Sequence, residues 1–344
     1  MPEDWKIDNA DALDVYHTWD TPNTIVSDGA YGVGGFHGDP RTPAELGDWY
    51  RPHIEAWTKH STLATTLWFW NTEVGWAEVH QELKRAGWNF EFLNTWNKGI
   101  GQVAGNVNSK TIRRFPVVTE VCAFYTRTPL LPATPGSDHI VHMKQWLRDE
   151  WKRTGLPIRK ANEACGVKDA AVRKYFDQGW LWYWPPVEMM MKLVSYANEH
   201  GRAEGAPYYS FDGKRPVTAE EWAATRSKFN YSHGVTNVWD LPSLRGAERY
   251  RGNMQRSAPR TYKPSAMSAS HLNQKPLALM DRIISASTDE GDVVWEPFGG
   301  LASASLAAVN LGRRAFAAEI DPGHHELATE RLQYRQPALF EAQT

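Results

Sequence analysis

Cysteine is nearly missing from this chain: 344 residues contain two, Cys122 and Cys165. That excludes a disulfide framework and a four-cysteine zinc site, and leaves both thiols as small buried hydrophobes. No apolar run approaches the roughly 18 residues of a membrane span, so no membrane partner is expected. Met1 to Asp11 is polar and lacks the apolar core of a secretory signal, which points to the cytoplasm. An excess of one charge is missing too. With 38 Lys and Arg against 40 Asp and Glu, the formal net charge is −2, so any field that attracts nucleic acid must be local. His271 and the pair His324-His325 do not stand at metal-ligand spacing with other ligands. They read as surface or capping residues, and no metal is expected.

What is present is the composition of a soluble globular protein, long enough for one large domain or two ordinary ones. Tryptophan stands out with 17 copies; a flat ring can stack on a base, but most of these rings will pack a core. The C-terminal part is the most legible. An amphipathic helix closes at 281–287, a turn leads to a strand at Val293-Val294-Trp295, and a small-residue helix stops at Gly312. A strand at 315–319 and a helix over 324–332 complete a β-loop-α-β-α unit of the doubly wound kind. Toward the other end, strands are expected at Thr24-Ile25-Val26, 63–70, 90–96 and 117–125, with a helix from Trp76 to Ala86. Alternating strands and helices at both ends predict one α/β sheet assembled from both.

The middle, about 129–260, differs. Within 140–176, nine Lys and Arg outnumber four acids, so the positive field absent from the whole chain is present locally. Residues 159–176 read as a helix, a Cys-Gly turn at Gly166 and a second helix, the pattern of a helix-turn-helix. Lys168, Asp169, Arg173 and Lys174 would lie on that second helix and could meet phosphates or base edges. The alternative is a helical hairpin with a solvated basic face. The run G-W-L-W-Y-W-P-P at 179–186 reads as that hairpin's core.

Two stretches carry chemistry. In E-P-F-G-G, 296–300, an acid and a proline end a strand and Gly299 and Gly300 let a ligand approach the backbone. Glu319 follows about 20 residues later at the end of the next strand, where a carboxylate can accept ribose hydroxyls. This turn is not G-x-G-x-x-G, and no G-K-[ST] occurs, which argues for a nucleoside without phosphates. The second stretch is S-D-G-A-Y, 27–31, directly after the Ile25-Val26 strand. It is either an ordinary turn after a strand or a pocket for something flat and polar. Trp96, at a strand end, is a candidate wall for a base pocket, with packing as the alternative.

The order and wording of these pieces resemble the β-class of S-adenosylmethionine-dependent DNA amino-methyltransferases, the permuted adenine-N6 and cytosine-N4 enzymes. S-D-G-A-Y matches the D-P-P-Y element, and E-P-F-G-G-L-A-S matches the D-P-F-x-G-S-G-T cofactor loop. H-L-N-Q-K-P-L-A-L-M-D-R-I-I (271–284), W-N-K (96–98), V-T-E-V-C-A-F-Y-T-R (118–127), N-V-W-D-L-P with Glu248-Arg249, and A-E-I-D-P-G-H-H-E-L match further elements. The resemblance covers about 1–128 and 237–335. It implies a Rossmann-like methyltransferase domain from 1–128 and 261–344, with a target recognition region at 129–260. It also implies S-adenosylmethionine as cofactor, held by Asp11, Asp28, Lys275, Pro297, Phe298, Gly299, Gly300, Ala302 and Glu319. Double-stranded DNA is the implied partner and a flipped base the substrate, its exocyclic amine giving one N–H to Asp28 and the other to the Gly29 carbonyl with Tyr31 stacked on the base; Lys168, Arg173, Lys174 and Trp96 are the candidate DNA contacts. Asp at position 28 points to adenine N6; cytosine N4 is the enzymatic alternative, and a DNA-binding protein on a decayed scaffold is the alternative of another class. A cognate restriction enzyme and a homodimer are compatible with the family, and no residue here decides either. Two departures stand out: Gly29 and Ala30 replace the two prolines, and Leu301 and Ala302 replace the Ser and Gly of the cofactor loop.

Overall fold

Strands form where the β-branched and aromatic runs predict them. A computed structural model of the chain describes residues 4–35, 38–102, 111–113, 115–134, 136–168, 171–179, 181–202, 205–244 and 274–334. In chain order, β1 (Trp5–Asp8), α1 (Ala12–Val15), β2 (Thr24–Ser27), α2 (Leu46–His60), β3 (Thr66–Asn71), α3 (Glu73–Arg85), β4 (Trp88–Asn97) and β5 (Thr119–Arg127) come first. After β6 (Leu130–Pro132), β7 (Ile140–His142), α4 (Met143–Arg153), α5 (Arg159–Cys165), α6 (Val187–His200) and α7 (Ala219–Ala223), the chain continues with β8 (Val238–Asp240). It then runs through α8 (Leu277–Ser287), β9 (Val293–Glu296), α9 (Ser303–Asn310), β10 (Arg314–Ala318) and α10 (Pro322–Gln333).

Eight strands make one sheet in the order β1-β10-β9-β2-β3-β5-β4-β8. β1, β10, β9, β2 and β3 are mutually parallel, and β5 runs antiparallel to both β3 and β4. Every residue of β2 and β3 is buried, as expected of parallel strands covered on both faces. Alternation then divides the core. Val26, Trp68 and Trp70 join α8, α9 and α10 on one face, whereas Ile25, Leu67 and Phe69 join α2 and α3 on the other. The helix α2 was not anticipated from sequence, because Pro52 inside it costs about 3 kcal/mol. Its apolar stripe Leu46, Tyr50, Ile54, Trp57 is wholly buried, and at about 1.5–3 kcal/mol per side chain this outweighs the proline.

Residues Thr128–Arg226 form a second compact unit. Its core gathers Trp146, Leu147, Trp151, Tyr209 and Trp222, and the Glu150 carboxylate within it takes both Arg153 and the Tyr209 N–H (2.7 Å). The insert expected at 129–260 is therefore shorter at its far end. Val238–Asp240 pairs with Thr95–Asn97 in the main sheet, and the Asn230 amide donates to the Ser285 and Thr288 carbonyls at the end of α8. Residues 245–260, with Glu248 and Arg249, and His271 lie outside the described residues.

The expected helix-turn-helix is also corrected. α5 ends at Gly166 in the left-handed conformation (φ 66°), but Ala171–Phe176 is a short 3₁₀ stretch rather than an α-helix. Val172, Tyr175 and Phe176 point into the unit's core, and that spacing suits the tighter turn. Lys168, Arg173 and Lys174 are exposed; Asp169 lies outside the described residues. Among the described residues, no helix is long and apolar enough to cross a membrane.

Candidate active site

The main sheet reverses its winding between β9 and β2. From β9 the chain passes through α9 to β10 on one side, and from β2 through α2 to β3 on the other. The crevice outside the carboxyl ends of two such strands is where open α/β sheets bind ligands. Asp28-Gly29-Ala30-Tyr31 and Pro297-Phe298-Gly299-Gly300 leave from those two ends. They touch: a Cβ on Gly29 would lie 2.5 and 2.7 Å from Phe298 Cδ2 and Cε2 and 2.8 Å from the Tyr50 hydroxyl. Gly29 is thus the residue that lets the two loops close on each other. A proline at 29 would bring a carbon to the same point.

The loop after β2 is fixed by its own backbone. The Ala30 carbonyl accepts from Tyr50 (3.0 Å) and from Asn71 Nδ2 (2.8 Å). The buried Asp39 carboxylate accepts the N–H groups of Tyr31, Gly32, Val33 and Gly35 at 2.8–3.3 Å. Four charge-assisted bonds to one side chain fold this glycine-rich segment into a ring. Asp39 drew no notice in the sequence, where it is one acid among loop residues.

Asp28 lies in a nest of ionised side chains. Lys275 Nζ stands 2.7 and 2.9 Å from its two oxygens, and the Tyr31 hydroxyl donates to Oδ1 at 2.8 Å. Lys275 also reaches the Tyr31 oxygen (3.0 Å) and Glu120 Oε2 (3.2 Å), while Lys98 pairs with Glu120 Oε1. Lys275 is 3% exposed and Glu120 11% in their side chains. Burial works against both charges. Asp28 and Glu120 nevertheless hold the Lys275 ammonium above its ordinary range, and Lys275 and Lys98 hold Glu120 below its own. Burial, then Asp28 and Glu120, push the Tyr31 phenol well up, so it stays a neutral donor. The Tyr31 ring is buried, with Lys275 5.3 Å from its centroid; here it holds Asp28 rather than presenting an open stacking face.

The other side of the crevice is built by β9 and β10. Gly299 donates to the Ala318 carbonyl (2.7 Å), and Gly300, at φ 52°, donates to Glu319 Oε2 (2.7 Å). Glu319 Oε1 takes the Asp321 N–H, and burial raises this carboxyl. Ala302 occupies a left-handed conformation (φ 52°) that suits the family's glycine, at a cost of about 1–2 kcal/mol. Glu296 turns inward at the start of α9, accepting from the Ala304 and Ser305 N–H groups (3.0 and 2.7 Å) and the Ser305 hydroxyl (2.6 Å). Burial lifts its carboxyl to about 7. A helix N-terminus ordinarily offers an anion site, and here an internal carboxylate already fills it, which agrees with a ligand lacking phosphates. Behind Phe298, Trp57 Nε1 donates to the Tyr16 hydroxyl (2.8 Å), which lies 3.1 Å from His53 Nδ1. Burial lowers His53 to about 4, keeping it neutral.

The structure therefore brings Asp28, Gly29, Tyr31, Lys275, Pro297, Phe298, Gly299, Gly300, Ala302 and Glu319 to one switch point. Lys275, expected beside the cofactor, has its ammonium on Asp28 and Glu120. Asp11 caps α1 through the Leu13 N–H (2.9 Å). Trp96 is corrected from a DNA contact to core: it is 3% exposed, and its Nε1 donates to the Leu241 carbonyl at 2.6 Å. Lys168, Arg173 and Lys174 belong to the Thr128–Arg226 unit. Among the described residues no metal-binding group occurs, and His325 contacts the Ile7 carbonyl. Sequence reasoning passed over Glu120 and Lys98. The available signal was a lone acid on the same strand face as Cys122 and Phe124, directly before the apolar run Val121-Cys122-Ala123-Phe124.

The model of the N6/N4 DNA methylase family matches residues 23–330. The type II methyltransferase M2.DpnII of Streptococcus pneumoniae is 37% identical over 73 residues, 21% of this chain and 27% of that protein. The DNA adenine methyltransferase YhdJ of Escherichia coli is 31% identical over 104 residues, 30% of each chain. These alignments span less than a third of either relative. The PvuII DNA methyltransferase, cytosine-N4-specific, shares the fold: TM-score 0.51 at 11% identity, covering 98% of this chain and 88% of that one. With its switch-point loops in place and nearly its whole length matched, the chain belongs to the DNA methylase family.

Proposed function

We propose that the protein methylates an exocyclic amine of a base in double-stranded DNA, adenine N6 in preference to cytosine N4, using S-adenosylmethionine. The carrying observation is the closure of Asp28-Gly29-Ala30-Tyr31 against Phe298 across the switch point, with Glu319 at the adjoining strand end. Relatives named for adenine and for cytosine N4 both occur, so membership alone leaves the base open. Asp28 is what favours adenine. A restriction partner rests on the names of relatives called type II methyltransferases, M2.DpnII, M.HpaI and M2.MboI.

The donor set fits the cofactor. Gly299 and Gly300 bring backbone close to the crevice, Phe298 supplies an apolar wall, and Glu319 keeps lone pairs free for ribose hydroxyls after its two N–H contacts. S-adenosylmethionine would supply an electrophilic methyl group on a sulfonium: the sulfur–methyl bond breaks as the nitrogen–methyl bond forms, the neutral thioether leaves, and the methylated nitrogen gives up one N–H proton to solvent. Asp28 accepts one N–H of the target amine and the Gly29 carbonyl the other, which turns the nitrogen lone pair out of conjugation with the ring. Positioning of this kind accounts for most of the rate, with the Asp28 charge favouring the positive nitrogen that develops. A paired base cannot reach the site, so it must leave the duplex.

The test is to incubate protein, S-adenosylmethionine and unmethylated duplex DNA, digest to nucleosides and identify the product by mass spectrometry. N6-methyladenine is expected. N4-methylcytosine would keep the mechanism and overturn the reading of Asp28; absence of both, with no cofactor binding, would overturn the function.

A further inference from the structure

The ionised cluster is oversubscribed. Lys275 has three N–H donors and meets four acceptor atoms: both Asp28 oxygens, the Tyr31 hydroxyl and Glu120 Oε2. Asp28, in turn, has two contacts from Lys275 and one from Tyr31 on its roughly four lone-pair sites. Little of Asp28 is left for a substrate amine while Lys275 sits on it. The charges of Asp28, Glu120, Lys98 and Lys275 sum to zero, and Glu120 lies between the two lysines.

We propose that Glu120 is a positioning residue for methyl transfer: it draws the Lys275 ammonium off Asp28, freeing an Asp28 oxygen for the target amine. This rests on the reading of Asp28 as the amine acceptor. With Glu120 neutral, Lys98 and Lys275 leave a net positive cluster beside a nitrogen that itself becomes positive. Lys275 then has Asp28 as its sole anionic partner among the described residues. Lys98 has the complementary part, holding the far oxygen of Glu120 so that Oε2 faces Lys275 and Tyr31. Nothing in this arrangement touches the Gly299-Gly300 turn or Glu319, so cofactor affinity should not depend on it.

The experiment compares wild type, Glu120→Gln, Glu120→Asp, Lys275→Met and the Glu120→Gln/Lys275→Met pair in steady-state DNA methylation. Unfolding midpoints and S-adenosylmethionine binding are measured on each. Glu120→Gln should lose about 10²-fold in kcat with KM for the cofactor unchanged within twofold. Its activity should recover toward alkaline pH, because Lys275 without Glu120 gives up its proton more readily and releases Asp28. The groups facing Lys275 are Asp28 and Tyr31 after β2, Glu120 and Cys122 on β5, and Trp70 on β3, with Lys98 behind Glu120 and Tyr50 near Asp28. Burial holds the Cys122, Tyr31 and Tyr50 protons well up, so these do not mimic the effect. The double variant should lose less than the product of the single losses and show no alkaline rise, and Glu120→Asp should retain part of the activity. Near-normal kcat in Glu120→Gln, or multiplicative losses with no change in pH profile, would overturn the inference. If Glu120→Gln does not fold, Glu120→Asp and the double variant carry the same comparison. Wild type that transfers no methyl group removes this inference together with the function, whereas active wild type with an unaffected Glu120→Gln removes the inference alone.

Discussion

Replacing Gly29 by Ala inserts one methyl group where the loop after β2 meets the loop after β9. The new carbon would stand 2.5 Å from Phe298 Cδ2, 2.7 Å from Cε2 and 2.8 Å from the Tyr50 oxygen, against the 3.4 Å or more of ordinary contact. Trp49, Tyr50, His53 and Trp57 flank Phe298 at centroid distances of 4.9–6.3 Å and limit its retreat on that side, leaving the crevice side for any shift. Overpacking of this kind costs about 1–3 kcal/mol. Restricting the unfolded chain returns roughly 0.4–1 kcal/mol, so a net loss of about 1–2 kcal/mol is expected. A displaced loop should also lower methyl transfer by about 10²-fold, since a shift near 1 Å is enough to misalign the reacting atoms. Urea unfolding, followed by tryptophan emission and far-UV circular dichroism and compared where the two coincide, measures the first effect. A cycle with Phe298→Ala should show coupling above about 1 kcal/mol, because that background removes two of the three collisions. A Gly29→Ala protein of wild-type stability and turnover, with no coupling to Phe298, would refute the account of why glycine stands there.

Four further outcomes are expected. Between pH 4.5 and 7, folded Glu296 keeps a proton that the unfolded chain releases, so its contribution to stability falls as pH rises. Folded His53, lowered to about 4, lacks a proton that the unfolded chain holds up to 6.5, so its contribution rises over nearly the same range. The two offset each other, so wild type should be flat there; Glu296→Gln should uncover a rising curve and His53→Phe a falling one, each within about 3 kcal/mol, read from urea midpoints. Asp39→Ala leaves four N–H groups without their acceptor; a loss of about 2–3 kcal/mol and early proteolysis within 31–39 are expected. Asp28→Ala should abolish transfer while calorimetry still detects cofactor binding, and retained turnover would remove Asp28 from its role. Arg173→Ala with Lys174→Ala should weaken DNA binding and lower its salt slope by about 1–2 in log–log terms, and an unchanged slope would leave these exposed residues as a solvated face.

The doubly wound pattern at the C-terminal end was legible because periodicity, the Gly312 stop and the spacing to Glu319 all agree. The strands β2 to β5 were found within a few residues for the same reason, their β-branched and aromatic content being unambiguous. What sequence missed depended on tertiary packing. The helix α2 carries an internal proline that propensity penalises and burial outweighs. The second half of the expected helix-turn-helix forms a 3₁₀ stretch because Val172, Tyr175 and Phe176 answer to the core rather than to a surface. At the site, Asp28, Tyr31, Phe298 and Glu319 could be named from local wording. Glu120 and Lys98 become meaningful only once β4 and β5 bring them beside Lys275, 155 positions from Glu120 in the chain. The contact between Gly29 and Phe298 likewise joins two loops 269 positions apart, which no local wording announces.

The pairing of β2 with β9 has a consequence for biosynthesis. The Asn23 side chain and main chain bond to Val293, 270 positions later, and only then is the exposed flank of β2 covered. At about 5–20 residues per second, a ribosome needs roughly 15–50 s to deliver that partner. Through this interval the nascent chain holds an apolar strand with one open hydrogen-bonding flank, a template for unwanted pairing. The loop after β2, though made early, acquires its opposing wall only when Phe298 has been synthesised. A translation product stalled before β9 would therefore keep that flank open and lack the wall of the crevice that Phe298 supplies.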